Sequence, residues 1–187
     1  LIAQSFTTLA TLGGDAAPTL IAHHSRAVRA LAEGQMSDVV CWNEASATRD
    51  RYDEVARLKT GTLLALPVVG ACELAHLNEL HMGRVLESQG WLGVAFQVLN
   101  DLADVLGADR RRPGTDERLG RPNAVHLEAG STRAPEVRIE AQLREALEAA
   151  ARARTGLPRR LACVLEGFAA EIERKAARVR LTAGGAA

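Results

Sequence analysis

Between Trp91 and Leu106 the chain reads as a helix that is apolar nearly all the way round, interrupted by one narrow polar stripe. Residues three and four apart share a helix face, so Gln97, Asn100, Asp101 and Asp104 line up together. Trp91, Leu92, Val94, Phe96, Val98, Leu99, Leu102, Val105 and Leu106 make up the surroundings. Such a helix belongs in a protein interior, where its carboxylates need a cation or a polar cavity. The oxygen donors suit a hard divalent ion such as Mg²⁺. Asn100 and Asp104 stand one turn apart, about 6 Å along the axis, and can reach one ion. Asp101 can take a neighbouring one. The alternative is a solvated face carrying small polar residues.

The rest of the chain is built to surround such a helix. Ala, Leu, Glu and Arg dominate, β-branched runs are short and no strand-like alternation persists, which predicts an all-α protein. At 187 residues it has the size of one domain, 1–187, with no internal boundary. The 23 basic residues balance the 23 acidic ones, which gives no support for a nucleic-acid or strongly anionic-membrane partner, local basic clusters aside. Cys41, Cys72 and Cys163 are few and far apart and form no C-x-x-C, so neither a zinc site nor a disulfide framework is indicated. No signal peptide and no apolar run long enough to span a bilayer is read, so a cytoplasmic location without stable membrane insertion is expected.

Leu1 to Leu12 reads as a helix already under way, closed by Gly13-Gly14. A second helix opens at Asp15 or Pro18 and runs to about Trp42. A polar turn spans Asn43 to Thr48, and Thr48 starts a helix that carries Lys59 and is kinked or interrupted by Pro67. Residues 108–131 are rich in loop punctuation and cations, including Arg110-Arg111-Arg112 and Gly120-Arg121-Pro122. That run is a solvated loop or a lid. Two amphipathic helices close the chain, one over about 135–154. The other has Leu161, Val164, Leu165, Phe168, Ile172 and Val179 on one face, and its tail from Thr182 should fray.

Other polar residues stand in apolar company. Lys59-Thr60 lies among Leu58, Leu63, Leu64 and Leu66, where a lysine is either a point charge for phosphate oxygens at a cavity wall or a snorkelling surface side chain. Gln35 and Asp38 share a helix face that could simply be exposed. His23, His24, His76 and His81 show no ligand spacing with a carboxylate and read as surface or packing residues.

In order, these pieces resemble the trans-isoprenyl diphosphate synthases, the polyprenyl synthetase family. Gly34-Gln35-Met36-Ser37-Asp38 is similar to its GQxxD segment, and Tyr52 to Leu64 to its helix with the Lys-Thr pair. Phe96 to Asp104, FQVLNDLAD, resembles the second aspartate-rich motif FQxxDDxxD. The run from Gly114 to Arg121 resembles the loop after it. The resemblance implies an antiparallel helix bundle of the isoprenoid synthase type around a deep central cavity, usually in a homodimer. It implies an Mg²⁺-dependent transferase (Mn²⁺ being the alternative ion) that joins an allylic prenyl diphosphate to isopentenyl diphosphate. By resemblance, Asn100, Asp101 and Asp104 lie at the metal site, Lys59, Gln35 and Arg121 bind substrate, and Lys59, Thr60 and Gln97 serve the reaction. Thr60 and Gln97 would turn their oxygens to the allylic cation.

Two departures are legible. Asn100 stands where the motif has its first aspartate, and no two aspartates are adjacent anywhere, so the family's first DDxxD is missing. The expectation is a domain partial at its N-terminus and lacking its N-terminal helices, with that motif upstream. The other readings are a class I terpene cyclase-like enzyme, a prenyltransferase with another acceptor, and a non-catalytic subunit.

Overall fold

The computed structural model describes residues 2–40, 48–106, 123–124, 127, 132 and 134–184. Gly13 and Gly14 both adopt positive φ (+65° and +68°), and there the first helix, α1 (Ile2–Thr11), gives way to α2 (Ala16–Val40). Thr48 caps α3 (Arg49–Ala56): its Oγ1 accepts the Arg51 N–H at 3.2 Å. A π turn (Arg57–Gly61) joins α3 to α4 (Thr62–Leu74). Asn78 caps the long α5 (Glu79–Val105), and the chain closes with α6 (Pro135–Ala153) and α7 (Arg159–Gly184). Every regular element among the described residues is helical, as the composition predicts.

α5 is the axis. α6 packs along it, with α4, the π turn and α7 completing its surroundings, and α2 lies outside α4. Leu92, Val94, Ala95, Val98, Leu99 and Leu102 of α5 are fully buried. With Ile139, Leu143 and Ala146 of α6 and Ile172, Ala176 and Val179 of α7 they form the main core. Each such leucine contributes about 1.5–3 kcal/mol by leaving water. A second cluster joins Val68, Val69 and Cys72 of α4 to Met82 and Val85 of α5 and Leu165 of α7.

Two expectations change here. Pro67 does not break its helix: α4 runs through it. Pro67 and Leu63 are both exposed, so the carbonyl that loses its partner faces water. The irregularity lies earlier, at Arg57–Gly61, where the Thr62 N–H reaches back to the Arg57 carbonyl. Secondly, residues 49–74 are, by length and composition alone, long and apolar enough to cross a membrane, although no such run was read in the sequence. The segment packs against α2 and α5 and carries Arg57 and Lys59, which is how a central helix of a bundle meets the same criterion.

Candidate active site

The π turn is held where it is by glycines. A Cβ on Gly93 would stand 2.5 Å from the Cα of Gly61, and one on Gly61 would stand 2.8 Å from the Cα of Gly90. The backbones of α5 and the π turn therefore touch directly. On the other side, a Cβ on Gly34 of α2 would lie 2.8 Å from the Leu58 Cβ and 2.9 Å from the Lys59 nitrogen. Arg57 lies across Trp91, its guanidinium carbon 4.7 Å from the ring centroid. Lys59 and Thr60 are thus fixed between α2 and α5 by close backbone packing.

One turn beyond Gly34, Asp38 accepts a 2.7 Å hydrogen bond from the Lys59 ammonium. Both side chains are partly exposed, 20% for Asp38 and 30% for Lys59, so the pair sits at a mouth open to solvent. Further along both helices an apolar slot of about 280 Å³ runs between α2 and α4, walled by Ala27, Ala30, Thr62, Ala65, Leu66 and Val69. His23 also lines the slot, and its Nε2 meets Glu73 Oε1 at 2.5 Å, a partnership across 50 residues that sequence spacing could not reveal.

On α5, one turn past Gly93, the polar stripe begins, and the structure divides its members. Asp101 is 2% exposed. Its carboxylate accepts from the Tyr52 hydroxyl (2.8 Å), the Ala124 N–H (2.7 Å) and the Gln97 amide (3.2 Å). Protein donors thus lie on the Asp101 oxygens, and the residue ties α3 and Ala124 to α5. Burial first, and then the charge of Asp101, push the Tyr52 hydroxyl well above its usual range, which keeps it a donor. Tyr52→Phe is expected to cost about 1–2 kcal/mol, read as a lower urea midpoint with unchanged slope. Because the NH₂ of Gln97 is held by Asp101, its amide oxygen is the atom left for a ligand.

Asn100 and Asp104 remain on the outer part of the stripe. The Asn100 oxygen accepts from Lys175 Nζ of α7 at 3.1 Å. Asp104 is partly exposed and makes no hydrogen bond or ion pair among the described residues. Thr60 is also partly exposed, and Gln35 is exposed on α2 beside the buried Gly34. Arg121, Arg110 to Arg112, and the Gly114 to Gly120 loop lie outside the described residues, as does the turn at 43–47.

Lys175 and Tyr52 are the participants that sequence reasoning missed. A signal for Lys175 existed: it falls three residues after Ile172 and seven after Phe168, a cation on the apolar face of its helix. Tyr52 is the one tyrosine of the chain, four residues after the Thr48 cap.

The architecture is that of known isoprenoid enzymes. It superposes on the "Geranylgeranyl Pyrophosphate Synthetase" of the archaeon Geoglobus acetivorans with a TM-score of 0.76 at 18% identity. That superposition covers 91% of this chain and 62% of the archaeal one. A sequence profile of the polyprenyl synthetases matches residues 1–161, and the chain belongs to that family. It is 28% identical over 127 residues to a "Geranylgeranyl diphosphate synthase" of Cyanophora paradoxa, a match covering 65% of this chain and 40% of the relative. It is 29% identical over 136 residues to a "Prenyl transferase" of Porphyra purpurea, covering 72% and 39%. The chain thus spans about two fifths of the length of these curated relatives.

Proposed function

We propose that this chain serves a prenyltransferase that condenses an allylic prenyl diphosphate with isopentenyl diphosphate, giving a longer trans-prenyl diphosphate. The observation that carries this reading is the Lys59 ammonium of the π turn, paired with Asp38 and close in the chain to Thr62, where the lining of an apolar slot between α2 and α4 begins. A prenyl diphosphate has the matching form, a dense anion on a hydrocarbon tail. Lys59 binds diphosphate oxygens as a point charge. The slot holds the tail and keeps water from the carbocation left when the carbon–oxygen bond to diphosphate breaks. The Thr60 hydroxyl and the Gln97 amide oxygen stabilise that cation while the isopentenyl double bond attacks it, and loss of a proton restores a neutral product.

Members of this family generally depend on a divalent metal. The donor set here fits a Mg²⁺ that arrives with the diphosphate: Asp104 offers a free carboxylate, and such ions are commonly held by one or two carboxylates plus substrate phosphates. Bound there, Mg²⁺ (or Mn²⁺) would neutralise the leaving diphosphate. The same reading carries a homodimer in the cytoplasm.

The test is product analysis on the full-length protein, with an allylic diphosphate supplied with and without isopentenyl diphosphate. The expected result is a longer prenyl diphosphate only when both are present. Hydrocarbon released from one prenyl diphosphate alone would assign cyclase chemistry instead. No turnover alone, with product length altered on mixing with a catalytic partner, would assign a non-catalytic subunit. Asp104→Ala is expected to lower turnover by about 10- to 100-fold while leaving the unfolding midpoint near wild type, since the side chain supports no packing.

A further inference from the structure

Lys175 is a half-buried ammonium with no counter-charge among the described residues. Its Nζ donates to the neutral Asn100 amide oxygen at 3.1 Å and lies 4.4 Å from the centroid of the Phe96 ring. Among the described residues no carboxylate is ion-paired with it. The nearby Asp101 carboxylate is occupied by Tyr52, Gln97 and Ala124. Lys175 also lies beyond residues 1–161, the part shared with the family profile.

Two consequences follow from this arrangement. A divalent ion taking Asn100 as a ligand would have to displace the ammonium, because the amide oxygen is in use and two cations repel at such a distance. Conversely, a cation held by an aromatic face and an amide keeps its full charge, and an anion entering the site would supply the missing partner. An aspartate at position 100 would cancel that charge; an asparagine leaves it available.

We infer that Lys175 is a diphosphate-binding residue standing at the Asn100 end of the stripe in place of a metal ion, so that this wall binds diphosphate in part without divalent cation. The inference rests on the prenyl diphosphate reading above, and it leaves Asp104 as the one free carboxylate of the stripe for Mg²⁺. Direct contact by an ammonium gives charge-assisted hydrogen bonds to diphosphate oxygens.

The experiment is calorimetric titration of the protein with inorganic diphosphate, once in EDTA and once in Mg²⁺. Wild type is expected to bind in both. Lys175→Met is expected to lose about tenfold in affinity in EDTA, the scale of one hydrogen bond to a charged group, while Lys175→Arg stays within about threefold of wild type. In a separate titration with Mn²⁺ alone, followed by electron paramagnetic resonance, Lys175→Met is expected to bind the ion more tightly than wild type. Should Lys175→Met fail to fold, Asn100→Asp leaves Lys175 in place and neutralises it, and is expected to weaken binding in EDTA and strengthen it in Mg²⁺. Equal affinity of wild type and Lys175→Met in EDTA overturns the inference and leaves the prenyl diphosphate reading standing. Wild-type binding only in Mg²⁺ overturns it in the same way. No binding under either condition overturns both.

Discussion

Replacing Asp101 with alanine is expected to destabilise the chain by about 3–5 kcal/mol, a large fraction of what holds a domain of this size together. The side chain is 2% exposed, and its donors include the Tyr52 hydroxyl, the Ala124 N–H and the Gln97 amide. Alanine leaves a buried hydroxyl and a buried backbone N–H without partners, each costing about 1–3 kcal/mol, and opens a void between them. Asp101→Asn should cost roughly half as much. It keeps one acceptor oxygen but turns an NH₂ toward a group that must itself donate. Urea unfolding measures both, and the slope should stay constant while the midpoint falls. Asp104→Ala, three residues on, should shift the midpoint by no more than about 0.5 kcal/mol. If Asp101→Ala unfolded like wild type and lost Mn²⁺ binding instead, Asp101 would be the metal ligand its spacing suggests.

That contrast shows what the sequence could and could not resolve. Helical spacing groups Gln97, Asn100, Asp101 and Asp104 because it measures angle around one helix. The all-α character and the helix starts and stops at Gly13-Gly14, Thr48 and Pro135 are legible for the same reason: they depend on neighbours along the chain. Which stripe members turn inward depends on what packs across from them. Tyr52 lies 49 residues before Asp101, and Lys175 lies 75 after Asn100. Nothing local to residues 97–104 distinguishes an aspartate buried among protein donors from one that stays partly exposed without them. The slot has the same origin, since its walls are brought together from separate helices, α2 and α4. Lys59 is a mixed case. The leucines around it fit its partial burial, but Asp38, predicted only as a polar neighbour of Gln35 on its face, is its partner, and Gln35 itself is exposed.

A side chain at Gly93 is expected to damage stability and activity together, because the position sets the distance between the π turn and α5. Its Cβ would meet the backbone of Gly61 and Thr60, 2.5 Å from the Gly61 Cα and 3.1 Å from the Thr60 carbonyl carbon. Backbone cannot rotate away as a flexible side chain can, so the two elements must separate. Overpacking of this kind costs about 1–3 kcal/mol, and alanine's better helix propensity returns at most about 1 kcal/mol of it. Valine should exceed alanine, since its branches meet the same backbone and are stiff about χ1. The functional loss should be larger than the stability loss implies. Lys59 and Thr60 ride on the displaced turn, and a shift of about 1 Å in a group that positions substrate can cost about 10²-fold in turnover. Gly83→Ala is the control. It lies in the same helix, with nothing within 4 Å of its added Cβ, and should stabilise by about 0.5–1 kcal/mol without touching activity. Thermal melts and turnover of the full-length protein measure both effects for each variant. A Gly93→Ala protein that melts with wild type and turns over normally would mean that the α5–π-turn contact does not hold Lys59 and Thr60 in register.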